Sequence, residues 1–164
     1  MGWGVTAPTP TTHRIIWFTV PGIPHGKTAG KHITRKAKSG QLVSGKALNP
    51  KDRSWYLRVQ HAASTQVPPE LLRPIDLPLR LIVVAWWPCA RPLKRGTRPA
   101  EWKATKPDTK NILAGVEDAL EGILFTNDSR LVDSRCLKLY APQGEPARTE
   151  VHLRTVWPIE AEEI

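Results

Sequence analysis

Acidic residues are nearly missing from the first 65 positions of this 164-residue chain, where Asp52 stands alone against ten Lys/Arg. Cysteine is scarce too. Cys89 and Cys136 are too few and too far apart for a zinc cluster, and read as thiols of a reducing cytoplasm or as one disulfide. The five histidines show no i, i+4 pair or other metal-ligand spacing. Long apolar runs are absent: the strongest, Leu81 to Trp87, is far short of a membrane span. Met1 to Arg14 has no apolar stretch of the kind a signal peptide needs. With only two Phe and two Tyr, the chain lacks the paired aromatic signatures of an RNA-binding sheet, which weakens a basic RNA-binding reading. These absences leave a soluble cytoplasmic protein, with no membrane partner and no small-molecule cofactor expected.

What is present is positive charge, unevenly placed. The net charge is +9, and residues 66 to 164 hold fourteen residues of each sign, so the whole excess sits in the first 65. A surface of that kind suits polyanions. A composition of 40% apolar and 24% charged residues is that of one globular domain. It is expected over residues 14–158, between a disordered Pro/Thr/Gly-rich tail (1–13) and an acidic tail (159–164).

Hydrophobic patterning gives the element order. Ile15 to Val20 reads as a strand ended by Pro21-Gly22. Residues 23–48 carry six Lys/Arg and little periodicity, and read as a basic, partly mobile loop. A helix is expected from Asn49-Pro50, with Asp52 near its positive end and Trp55, Val59 and Ala62 as its buried stripe. Leu79 to Trp86 is a nearly continuous apolar strand, either buried on both faces or central. Residues 88–107 form an irregular segment with four prolines and six Lys/Arg. A second helix follows over 109–121, stopped by Gly122, and strands at 131–140 and 149–156 close the domain. The order β, α, β, α, β, β implies an α+β fold: a two-layer sandwich of a small mixed sheet with two helices packed on one face.

Two aspartates bracket the second helix. Asp108 stands where an N-cap belongs, and Asp128 lies in the turn-forming triplet Asn127-Asp128-Ser129. Capping and turn formation alone would account for each. A thirteen-residue helix rises roughly 20 Å, and the seven residues 122–128 can span at most about 23 Å. A return along the helix is therefore expected to set Asp128 beside Asp108 around one divalent cation. The same spacing keeps Glu117 and Asp118 away from Asp108, and leaves Glu101 as the remaining acidic candidate.

The block Lys106-Pro107-Asp108-Thr109-Lys110-Asn111-Ile112-Leu113, then Asp118-Ala119-Leu120-Glu121-Gly122, then Asn127-Asp128, resembles the signature of the RusA family of Holliday junction resolvases. Val20-Pro21-Gly22-Ile23-Pro24-His25-Gly26-Lys27 and Asn49-Pro50-Lys51 resemble that family's opening turn and first helix. The likeness covers about residues 15 to 157. It implies a homodimeric, Mg²⁺-dependent endonuclease, with Mn²⁺ as a possible substitute, acting on four-way DNA junctions in recombination and repair in a bacterial or phage-infected cell. The family's ligands map onto Asp108, position 110 and the Asn127–Asp128 pair. Lys110 stands where the family has Asp, Asn127 replaces the first paired acid, and Ala114 replaces a helix lysine.

On this reading Asp108, Asp128 and Asn127 are the metal positions, Lys110 meets the scissile phosphate, and Asn111 orients Asp108 or a bound water. Lys27, Lys31, Arg35, Lys36, Lys46, Arg91, Lys94, Arg95, Arg98 and Lys106 are the expected backbone clamps on branched DNA. Trp102 is either a packed core residue or a base-stacking platform. The alternative is a RusA-like protein that binds branched DNA without cutting it, favoured by the three departures at 110, 114 and 127.

Overall fold

An asparagine before a proline starts the longer helix. Proline's missing N–H is harmless at the first helical position, and the Asn49 side chain accepts from the Lys51 N–H at 2.9 Å. Helix α1 then runs Pro50–Gln66 and buries Trp55, Val59, Ala62 and Ala63 along one stripe. The computed structural model describes residues 14–156 apart from positions 30 and 48. The expected tails at 1–13 and 159–164 lie outside the described residues.

Among the described residues seven strands accompany α1 and the second helix, α2 (Thr109–Leu120). They are β1 (Ile15–Pro21), β2 (Lys31–Lys36), β3 (Leu42–Ala47), β4 (Leu79–Trp87), β5 (Glu101–Trp102), β6 (Leu131–Tyr140) and β7 (Arg148–Thr155). Five form one sheet in the order β1-β7-β4-β6-β5. β4 and β6 run parallel and the other neighbours antiparallel, so the sheet is mixed. Both helices pack on one face, α1 against β1 and α2 against β6. The α+β sandwich expected from the element order is the fold observed.

β4 is the central strand, yet its two faces differ. Leu79, Leu81, Val83, Ala85 and Trp87 are buried under the helices, while the alternate residues are half-buried. The continuous apolar run therefore marks a central position rather than two covered faces. Trp86 on the open face gains cover from Arg148, whose guanidinium lies 4.8 Å from its ring.

The segment read as a loop over 23–48 is partly a hairpin. β2 and β3 pair antiparallel as a separate two-stranded sheet, turned through Ala37–Gln41 with Gly40 at φ +82°. Its strands carry mostly polar residues, so alternation of apolar and polar leaves no trace. The stretch before it is held by Asp52. That carboxylate, 1% exposed, accepts from the His25 ring at 2.6 Å and from the Thr28 hydroxyl at 2.8 Å and its N–H. Burial pushes the Asp52 carboxyl up, but the His25 and Thr28 hydrogen bonds outweigh it and hold it below the usual value. Both cysteines are free thiols. No helix among the described residues is long and apolar enough to cross a membrane.

Candidate functional site

The N-terminal end of α2 is where the segments carrying most of the chemistry meet. Asp108 has the extended backbone of an N-cap, and its carbonyl oxygen accepts from the Asn111 and Ile112 N–H groups. Its side chain does not cap. The carboxylate is exposed and makes no hydrogen bond or ion pair among the described residues, so capping does not account for it. Lys110 is exposed and equally uncommitted. The Asn111 carbonyl accepts from the Lys27 N–H at 2.8 Å, and Gly26 packs so closely on Pro107 that a Cβ there would lie 2.7 Å from the proline ring. The segment latched by Asp52 thus braces the loop before Asp108.

From the other side comes β6. The Lys138 ammonium donates to the carbonyl oxygens of Thr105 at 2.8 Å and Pro107 at 2.9 Å. Lys103 lies buried between the rings of Trp87 and Tyr140, 5.1 and 5.2 Å from their centres, and its ammonium donates to the Thr105 hydroxyl. The Tyr140 hydroxyl is 3.4 Å from that same Thr105 oxygen. The Thr105 hydrogen bond, aided by the Lys103 and Arg91 charges, holds the Tyr140 phenol below its usual value.

Asp128 is elsewhere. Asn127, the residue before it, donates to the Glu121 carboxylate at 3.1 Å, and Glu121 is the C-cap of α2. Asp108 and Asp128 therefore flank opposite ends of a twelve-residue helix, which rises about 18 Å. The expected side-by-side placement within one protomer does not form. Residues 121–125 turn back on themselves, with the Gly122 N–H bonded to the Phe125 carbonyl at 2.8 Å, and bury Leu124 and Phe125. β6 makes the return instead, bringing Ser134 to Glu117 and Lys138 to Pro107. Among the described residues no group of three His, Cys, Asp or Glu is placed to hold a metal ion.

Two further residues at the Asp128 end have defined roles. Asn127 accepts from the Ser129 N–H at 3.0 Å and caps the short turn Asp128–Arg130, which accounts for its side chain structurally. Glu117 is half-buried beneath β6 and accepts from the Ser134 hydroxyl at 3.1 Å. Burial raises its carboxyl pKa, the Ser134 bond opposes this, and the negative charges of Asp118 and Asp128 add to the rise. That grouping of Glu117 with Asp128 depends on the register of β6 and has no local sequence signal.

The sequence profile of the family described as Endodeoxyribonuclease RusA matches residues 24–154. The chain belongs to the RusA family. It is also similar to the uncharacterized protein YqaN of Bacillus subtilis (strain 168), at 28% identity over 151 residues that cover 86% of this chain and 96% of that protein.

The basic residues expected to clamp DNA divide into groups. Lys27 is paired with Asp118, and Arg98 with Glu101 at 2.7 Å, so Glu101 is occupied too. Lys36, Arg91, Lys94, Arg95 and Lys106 are exposed and carry no ion pair among the described residues. Lys31, Arg35 and Lys46 lie on the hairpin, and their side chains are outside the described ones. Trp102 is 71% exposed, which removes the packed reading. Lys103, Thr105, Lys138 and Tyr140 are absent from the sequence-based list. They converge only through the β5–β6 pairing.

Proposed function

We propose that this RusA-family protein is a Mg²⁺-dependent endodeoxyribonuclease that cuts branched DNA in the cytoplasm, with its site centred on Asp108. The observation that carries this reading is the free carboxylate: Asp108 occupies a capping position without capping, beside the uncommitted cations Lys106 and Lys110. An acid left open amid positive charge would suit a divalent cation and a phosphate better than a structural contact.

The donors here fit a loosely held ion. Magnesium needs only one or two carboxylates when phosphate oxygens and water complete its shell, and Asp108 supplies one. Bound there, Mg²⁺ supplies Lewis acidity at the phosphoryl oxygen and a water of lowered pKa; Mn²⁺ suits the same oxygen ligands. Lys110 neutralises the phosphate where the family has an acid, and Asn111 orients the Asp108 carboxylate. Lys36, Arg91, Lys94, Arg95 and Lys106 take backbone phosphates, and Trp102 stacks on a base exposed at the branch point. A homodimer completes the arrangement, because paired nicks in a four-way junction need two symmetry-related sites. Asp128, toward the opposite end of α2 from Asp108 within one chain, then serves the site of a second copy. Cleavage of a synthetic four-way junction in Mg²⁺, against linear duplex of the same sequence, tests the reading.

A second reading is favoured by Lys110, Ala114 and Asn127 together: the fold binds branched DNA and does not cut it. It predicts salt-sensitive junction binding with no nicks at any Mg²⁺ or Mn²⁺ concentration.

A further inference from the structure

We propose that Lys103, Thr105 and Tyr140 form a receptor for one backbone phosphate of the DNA strand, a subsite beside Asp108 that fixes the register of cutting. The proposal rests on the DNA reading above and names what the strand touches next to the reacting position.

A lysine that is 8% exposed needs a reason. Taking an ammonium out of water is costly unless an anion compensates it, and cation–π contact with two rings returns only part of that cost. Cations without an acid beside them, such as Lys36, Lys94 and Lys106, are exposed to water, whereas the half-buried Arg148 has Glu145 and Glu150. Lys103 has no carboxylate partner among the described residues. Its contacts are the rings of Trp87 and Tyr140 and the Thr105 hydroxyl.

The backbone explains how it comes to be there. β5 is only two residues long, pairing Glu101 with Tyr140 and Trp102 with Leu139. The Lys103 N–H then donates to the Lys138 carbonyl at 3.0 Å, which sets its side chain beneath the Tyr140 ring. The Thr105 hydroxyl is exposed and the Tyr140 side chain half-exposed, so the cluster opens to solvent at its hydroxyl rim. An ammonium, a hydroxyl and a phenol therefore converge with no anion among them. The Arg91 charge reaches the same phenol. A tetrahedral oxyanion supplies the missing charge and accepts from all three donors. Thr105 is three residues before Asp108, so a phosphate held here places a neighbouring phosphodiester at the Asp108 carboxylate.

The test is equilibrium binding of a four-way junction in EDTA across a salt series, for wild type, Lys103→Met, Thr105→Val and Tyr140→Phe. Loss of one phosphate contact lowers the slope of log K against log salt by about 0.9, which is the result expected of Lys103→Met. Thr105→Val and Tyr140→Phe should each weaken binding about three- to tenfold, and they keep the test open if Lys103→Met fails to fold. Wild-type slope and affinity in every folded variant overturn the subsite and leave the nuclease reading standing. Inorganic phosphate supplies an arm free of DNA. The Tyr56 phenol is pushed up by burial and its bond to Asp118 while the Tyr140 phenol is held down, so the lower of the two tyrosine midpoints in an ultraviolet titration is that of Tyr140. Phosphate at the subsite raises that midpoint in wild type and not in Lys103→Met. A midpoint that phosphate leaves unmoved in wild type counts against the subsite. A raised midpoint in a protein that binds no DNA refutes the DNA reading and the DNA occupant with it.

Discussion

Lys138 of β6 donates to the carbonyl oxygen of Pro107 at 2.9 Å, tying the strand that returns along α2 to the residue just before Asp108. Its second bond, to the Thr105 carbonyl, anchors the same loop at a second point. Hydrogen bonds from a charged donor contribute about 1.5–3 kcal/mol each at most. Lys138→Met keeps the aliphatic stem and removes both. We expect a stability loss of about 1–3 kcal/mol by denaturant unfolding and a fall in cleavage larger than the fall in junction affinity. Equal falls in both would mean that Lys138 contacts DNA rather than setting the loop.

The bracing on the opposite side predicts a glycine effect. A Cβ on Gly26 would lie 2.7 Å from the Pro107 Cβ, inside contact distance of a ring that cannot swing away. Gly26→Ala should cost about 1–3 kcal/mol as overpacking and should displace the loop before Asp108. Thermal unfolding and junction cleavage check it. A variant with wild-type stability and wild-type cleavage would show that the close approach is incidental.

Asp52 predicts a pH dependence. Its folded pKa is lowered, so the stability it contributes is fully present above the unfolded carboxylate value of about 3.9 and is lost as pH falls through the lower folded value. Asp52→Asn should therefore cost about 1–3 kcal/mol at neutral pH, and the gap from wild type should narrow as the solution is acidified below about pH 4. Urea denaturation at pH 7 and pH 3 measures this. A gap that is constant with pH would mean that packing, not charge, is what the substitution removes.

The separation of Asp108 from Asp128 gives a sharper test of the dimer. If each site takes Asp108 from one copy and Asp128 from the other, mixed dimers of Asp108→Asn and Asp128→Asn subunits contain one intact site and one with both acids lost. Such mixtures should nick one strand of a junction although each variant alone is inactive. Silence in the mixed dimers would remove Asp128 from the site built on Asp108.

How much of this is legible in the sequence depends on how local the chemistry is. The starts of α1 and α2 are written in Asn49-Pro50 and Pro107-Asp108, and the end of α2 in Gly122, whose φ is +77°. The strands β1, β4, β6 and β7 follow from apolar runs and alternation. The β2–β3 hairpin is hidden because Lys31–Lys36 and Leu42–Ala47 have too few apolar residues to show a period. Asp108 is legible as a site residue from its motif. The position of Asp128 is not, because chain length limits how far 122–128 can reach without saying which way it goes. Burial of Leu124 and Phe125 turns the segment aside. Lys103 and Tyr140 are 37 positions apart and meet through strand pairing that no short motif announces.

The central assignment is that Asp108 carries metal-dependent cleavage. The direct measurement is nicking of a labelled four-way junction across a Mg²⁺ series by wild type and by Asp108→Asn, with junction binding measured in EDTA for both. The account predicts Mg²⁺-dependent nicks by wild type, and at least a hundredfold slower cutting by the variant, a loss of about 2.7 kcal/mol in barrier terms, with binding retained. Cleavage by Asp108→Asn at the wild-type rate, or no cleavage by wild type at any metal concentration, would contradict it.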